Sequence, residues 1–120
     1  LCEKIHMMDR KKKGMAAENV ACRFLELQGY EIIERNFAAK TGEIDIIAKD
    51  GDFFVFVEVK YRRDASFGYP SEAVDRKKQQ KIRKTAAWYL KVHHPSDFAP
   101  VRFDVVEILG KKIRVIKNAF

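Results

Sequence analysis

GEIDIIAKDGDFFVFVEVKYR, residues 42–62, alternates like two strands of a sheet yet carries Asp45, Glu58 and Lys60 where apolar side chains would be expected to pack. An isolated charge taken out of water costs several kcal/mol or is neutralised, so a strand interior tolerates charge only where something pairs with it. Three such residues close together mark a site. Asp50-Gly51 is a dipeptide favoured in tight type I′ hairpins, and it divides the stretch into strands over Glu43–Lys49 and Phe53–Arg62. With Lys49 opposite Asp52, Asp45 falls opposite Phe56, and Glu58 is its diagonal neighbour on the same face, roughly 7–8 Å away between backbones. Lys60 follows on that face. An odd-length loop would send Asp45 to the other side, so the convergence rests on the turn, and a short glycine-containing turn favours the even register.

Working outward, Met15, Ala16, Val20, Phe24 and Leu27 recur at helical spacing up to Gly29, which predicts a helix over roughly residues 12–28 behind a mobile tail at 1–12. Glu18 lies at the margin of that apolar stripe. Tyr30 to Phe37 reads as a strand and AAKTG as a loop. Beyond the central stretch, RRDASFGYPS is an irregular connection, and Asp75 can cap a second helix running to about Val92. Its buried stripe is Ile82, Ala86, Tyr89 and Leu90, with Lys78 and Gln79 flanking the start. VRFDVVEIL and KKIRVIK read as two more strands joined around Gly110-Lys111. The order α-β-β-β-α-β-β implies a mixed sheet with helices against it, α/β or α+β in class. No repeat or linker marks a second domain, so residues 1–120 form one.

Hydrophobic residues make up 47% of the chain and charged residues 34%, a globular balance, and no apolar run approaches the ~18 residues of a membrane helix. The N-terminal LCEKIHMMDRKKKG lacks the order of a signal peptide. Cys2 and Cys22 have no metal-type spacing, which leaves reduced cytoplasmic thiols as the natural reading. A formal charge of +7 favours a polyanionic partner. That charge is unevenly spread. From Arg76 to Lys91 there are seven basic residues and no acidic one, whereas a merely solvated helix face usually mixes signs.

Two carboxylates beside a lysine have a direct use in phosphodiester hydrolysis: they supply hard oxygen ligands to Mg²⁺, and the lysine can polarise the attacking water or contact the scissile phosphate. The bland alternative is an exposed cross-strand salt bridge, worth under about 1 kcal/mol. Other residues invite modest readings. His93 and His94 suit the helix C-terminus or solvent, Trp88 and Tyr89 suit core and flank, and Asp104 suits pairing with a nearby Lys or Arg. Tyr61 and Phe67 either pack or stack on bases beside Arg62 and Arg63.

Taken together, GxxxE at Gly14–Glu18, LQGYEIIERNF, GEIDIIA, FVEVKYR, Lys78-Gln79, RFDVV and the terminal IKNAF closely resemble the YraN-like family, from about Lys13 to Phe120. That family is described as having a Holliday-junction-resolvase-like, PD-(D/E)xK nuclease fold with a restriction-endonuclease-like αβββαβ core of α/β class. The resemblance implies that Asp45, Glu58 and Lys60 are metal-binding and catalytic, and that Glu18 is the first-helix acid completing a site for Mg²⁺ or Mn²⁺. It implies DNA rather than RNA as partner, with Lys78 and Gln79 flanking the site and a homodimer suited to the two strands of a junction; the basic charge of Arg62, Arg63, Lys77, Lys78, Lys81 and Lys84, with Gln79 among them, is expected to grip the phosphates. One departure is that Ile44, not proline, precedes Asp45. The expected activity is metal-dependent cleavage of structured or branched DNA; the alternative is an inert nucleic-acid-binding module or adaptor of the same fold.

Overall fold

A computed structural model describes residues 2–63, 74–93 and 100–120, with side chains from Gly14 onward. Helix α1 (Cys2–Leu27) leads into strands β1 (Glu31–Ala39), β2 (Gly42–Asp50) and β3 (Phe53–Arg62); helix α2 (Arg76–His93) then leads into β4 (Val101–Leu109) and β5 (Lys112–Ile116). The strands form one sheet in the order β1-β2-β3-β4-β5. Only β3 and β4 run parallel, joined through α2, and the other pairs are antiparallel. This is the expected α/β core with its additional C-terminal strand. No helix among the described residues is long and apolar enough to cross a membrane. His94, Phe67 and most of the RRDASFGYPS connection lie outside the described residues.

The helix ends follow local chemistry. Gly29 takes φ 94°, and the Tyr30 and Gly29 amides donate to the Leu25 and Glu26 carbonyls at 2.9 and 3.0 Å, a Schellman closure. At the other end α1 starts at Cys2, not near residue 12, because no proline or glycine interrupts residues 2–13. Asp75 caps α2, its Oδ1 accepting from the Lys78 amide at 2.8 Å.

Each face of the sheet carries one helix. Ala21, Cys22 and Leu25 of α1 pack with Ile46, Ala48, Val55, Val57, Val106 and Ile108 on one side; Ile82, Ala86 and Tyr89 of α2 pack with Ile44, Ile47, Phe54, Phe56 and Phe103 on the other. Strict alternation would put Ile44 and Ile46 on the same side. They lie on opposite sides, so the strand turns over at Asp45, where Asn36 of the neighbouring strand adopts φ 54°.

The β2–β3 turn corrects the expected register. Lys49 pairs with Phe54 and Asp50 with Phe53, not Lys49 with Asp52, so the turn residues are Gly51-Asp52. Gly51 has φ 60° and Asp52 no positive φ, the pattern of a type II′ turn and not type I′. Asp50 is held in the ladder by a partner far along the chain: its Oδ2 accepts from Arg102 at 2.7 Å. A two-residue slip preserves facing, and Phe56 pairs with Ile47 and not with Asp45, which lies just past the last pair, Ile46–Val57.

Arg102 belongs to a saturated polar cluster beneath α1. Asp104, fully buried, accepts from Tyr30 Oη at 2.7 Å, from Arg102 at 2.9 Å and from the Asn118 amide at 2.9 Å. The acid thus has the arginine partner expected for it, and the Tyr30 hydroxyl is pushed up by burial and by the Asp104 carboxylate. Asp104→Ala leaves a buried guanidinium and hydroxyl short of an acceptor, so urea unfolding should show a loss on the order of 3 kcal/mol.

Candidate active site

Pairing between β2 and β3 runs from Asp50–Phe53 to Ile46–Val57 and stops there, although β2 reaches back to Gly42 and β3 continues to Arg62. Past that point β2 remains paired with β1, and β3 with β4, so the two strands part. Asp45 stands in the opening. Its Oδ2 accepts from the Val59 amide at 2.8 Å, replacing a strand carbonyl with a side chain. Because the strand turns over here, Asp45 lines cavities on both sides of the sheet: one of 500 Å³ shared with Glu18, Asn36 and Tyr61, and one of 250 Å³ shared with Glu58, Lys78 and Lys81.

Glu58, 7% exposed, points to the α2 side. Its Oε1 is 2.6 Å from Lys78 Nζ and 3.4 Å from Lys60 Nζ. Lys60 follows Glu58 by one pleat and Lys78 descends from the first turns of α2, so two elements deliver cations to one buried oxygen. The charges respond to one another. Burial, and then the Glu58 charge, push the Asp45 carboxyl up to about 7, against the pull of the Val59 amide. Burial and the adjacent Lys78 lower Lys60. Burial works against the Lys78 ammonium too, but its contacts with Glu58 and Lys60 raise it overall.

Glu18 sits on the α1 side, paired with Arg35 Nε at 3.1 Å. Among the described residues no three His, Cys, Asp or Glu side chains come close enough to share one ion, so Glu18, Asp45 and Glu58 do not converge on a single point. Asp45 and Glu58 nonetheless suit a divalent cation. They are hard carboxylate ligands on neighbouring strands, and the upward push on Asp45, from burial and then from the Glu58 charge, is one that a bound cation would oppose.

The expected nucleic-acid contacts divide by position. Arg62 and Arg63 are exposed at the end of β3, beyond Lys60; Lys77, Lys81 and Lys84 are exposed on α2, while Gln79 turns its amide to the Val74 carbonyl at 3.1 Å. Lys78 is less a surface contact than a member of the carboxylate cluster. Sequence reading missed Glu107, 3% exposed, which lies beside Lys60 on the parallel neighbour and pairs with Arg114. Its signal was the one that drew attention to Asp104, a charge inside an apolar strand. Tyr89 is core, but Trp88 is 51% exposed. His93 stacks on Tyr89, ring centres 4.5 Å apart.

The model of the uncharacterised protein family UPF0102 matches residues 17–108. This chain belongs to the UPF0102 family. A UPF0102 protein of Lachnoclostridium phytofermentans is 46% identical over 113 residues, covering 94% of this chain and 96% of its own. One from Caldicellulosiruptor bescii is 49% identical over 119 residues, covering 94% of this chain and 100% of its own. One from Clostridioides difficile is 46% identical over 115 residues with the same coverage. The resemblance read from the motifs is borne out at the level of the family, and the UPF0102 match contains Glu18, Asp45, Glu58, Lys60 and Lys78.

The Asp45 environment gives a pH signature in this UPF0102 protein. An ordinary aspartate releases its proton near 3.8 in the unfolded chain, whereas the folded chain holds it to about 7. Between those values the folded state binds more protons, so stability falls as pH rises through the window, and the penalty is complete above it. Asp45→Asn keeps an acceptor for Val59 and removes the charge. In EDTA its melting temperature should exceed that of wild type by an amount that grows from pH 4 to 7 and then levels off.

Proposed function

We propose that this UPF0102 protein is a metal-dependent endonuclease that hydrolyses phosphodiesters of structured or branched DNA. The observation that carries this reading is the opening between β2 and β3, where Asp45 and Glu58 meet with Lys60 and Lys78 at the C-terminal end of β3. Asp45 and Glu58 would hold a Mg²⁺ or Mn²⁺ ion, which supplies an activated water and offsets charge on the phosphate.

The chain's own residues supply the rest. Lys60, with its hold on its proton weakened by burial, is placed to orient the attacking water or to donate to the scissile phosphate. Lys78 keeps Glu58 from standing uncompensated and reaches the site from the basic helix that would carry the flanking phosphates. Glu18 borders the same opening from the α1 side, next to Asp45. Arg62 and Arg63 leave the sheet just past Lys60, where a strand crossing the site would meet them.

The inert-module alternative uses the same basic surface without the chemistry, so cleavage separates the two. With Mg²⁺ or Mn²⁺, wild type should cut a labelled four-way junction or flap, and Glu58→Gln and Lys60→Ala should abolish cutting while leaving binding nearly intact. The reason is that metal and proton-transfer interactions act on the transition state, whereas affinity comes from distant phosphates. A wild type that binds these substrates and cuts none of them gives the answer to the inert module. The double variant Lys81→Glu/Lys84→Glu should weaken duplex binding and flatten its salt dependence by about 0.9 log units per lost contact. Unchanged affinity would mean that this helix face is merely solvated.

A further inference from the structure

Helix α2 moves away from the carboxylates carrying Lys81, Lys84 and Lys91 outward, and between the last two stands Trp88. An indole 51% exposed is not covering the core. The core position on this part of the helix is already filled by Tyr89, which packs edge-on against Phe37 and Phe56 at 5.2 and 6.0 Å between ring centres. Among the described residues the Trp88 ring meets no other aromatic ring and no cation over its face. It forms one wall of a 660 Å³ hollow between α2 and the β1–β2 turn, lined also by Lys40, Thr41, Lys84 and Lys91. Among the described residues no acidic one lines it.

The lining limits the ligand. A volume of this size is within the range that accommodates a small organic group. A purely apolar partner would have to desolvate three ammonium groups, and a purely acidic one would leave the indole uncovered. A flat aromatic group attached to phosphates satisfies both, by stacking on the indole and pairing with the lysines. In a duplex the bases are stacked on one another and closed to a side chain on the outside. We infer that the hollow walled by Trp88 and Lys40, Lys84 and Lys91 binds an unpaired nucleotide of a single strand. Lys78 and Trp88 lie about 15 Å apart along the helix at 1.5 Å per residue. Resting on the nuclease reading, the inference specifies its substrate: a strand with an unpaired base a few nucleotides from the scissile bond, as at a flap or junction.

Trp88 is the single tryptophan of the chain, so its fluorescence reports on the hollow without a label. The full chain is titrated in EDTA with a short oligothymidylate and, separately, with a blunt duplex of equal phosphate number. Saturable quenching by the oligothymidylate and little by the duplex is expected. By anisotropy of labelled DNA, Trp88→Ala should bind the single strand roughly tenfold more weakly, Trp88→Phe should restore most of that loss, and duplex affinity should stay within about twofold. Absence of quenching by the single strand, or equal losses for single strand and duplex in Trp88→Ala, would overturn the inference. Because no metal is present, the result is independent of cutting. Quenching by the single strand together with an uncut flap in Mg²⁺ and Mn²⁺ refutes the nuclease reading alone, and cutting without quenching refutes the hollow alone.

Discussion

The Val59 amide is the point on which the site depends. In an uninterrupted ladder it would donate to a carbonyl of β2, and β2 and β3 would stay in contact to their ends. It donates instead to the Asp45 carboxylate at 2.8 Å, and the strands separate from that residue onward. The side chain satisfies a backbone donor that could not be left buried and unpaired, so the opening forms without an orphaned group. Among the described residues no buried side-chain nitrogen or oxygen lacks a partner. The opening in turn leaves Glu58 bordering a cavity where a continued strand would have covered it, with the Lys60 ammonium 3.4 Å from its Oε1.

How charge is distributed there separates this cluster from an ordinary salt bridge. Glu58 has two ammonium groups within 3.4 Å, whereas Asp45 has a backbone amide and a neighbouring negative charge. Burial, and then the Glu58 charge, push the Asp45 carboxyl upward, while burial and the adjacent Lys78 push Lys60 downward. The cluster around Asp104 offers the contrast within the same molecule. There each acid is matched by Arg102, Asp50 is held below its ordinary value by that guanidinium, and Arg102 itself is raised. In one cluster both acids share a guanidinium, and in the other Asp45 is buried beside a like charge, an arrangement found at functional sites.

Much of this was legible in the sequence, for identifiable reasons. Asp45, Glu58 and Lys60 stood out because charge in an apolar alternation needs explaining; the slip of the turn was even and did not itself reverse their facing, but β2 turns over at Asp45, which strict alternation did not foresee. The slip itself was not legible. Asp50 looks like a turn residue until Arg102, far along the chain, claims its carboxylate. Glu18 was ambiguous from its stripe because its orientation is fixed by Arg35 on β1. Trp88 and Tyr89 are neighbours on a helix, about 100° apart at 3.6 residues per turn, so only one of them can face the sheet. The apolar stripe assigned that place to Tyr89, so the reading of Trp88 and Tyr89 as core and flank fails for Trp88, which is exposed. Glu107 was passed over although its signal equalled that of Asp104.

The start of α2 breaks a local rule, and the break points the same way. Its first turn holds Arg76, Lys77 and Lys78 with no acidic residue. Cations there oppose the helix dipole, each at a penalty of about 0.3–1 kcal/mol when exposed, and Asp75 is the one acid at the cap. A helix selected for stability alone would carry acids at these positions. Glu58 offsets the penalty for Lys78 through a contact of 2.6 Å, while Arg76 and Lys77 remain exposed. A polyanion lying across the N-terminus of α2 would offset theirs as well, and it would at the same time lie over the opening between β2 and β3. Local conflict of this kind is expected where a surface is built for a ligand, not for the fold. The same helix anchors its position through Ile82, Ala86 and Tyr89, so the misplaced cations are carried on a rigid element and held beside the carboxylates.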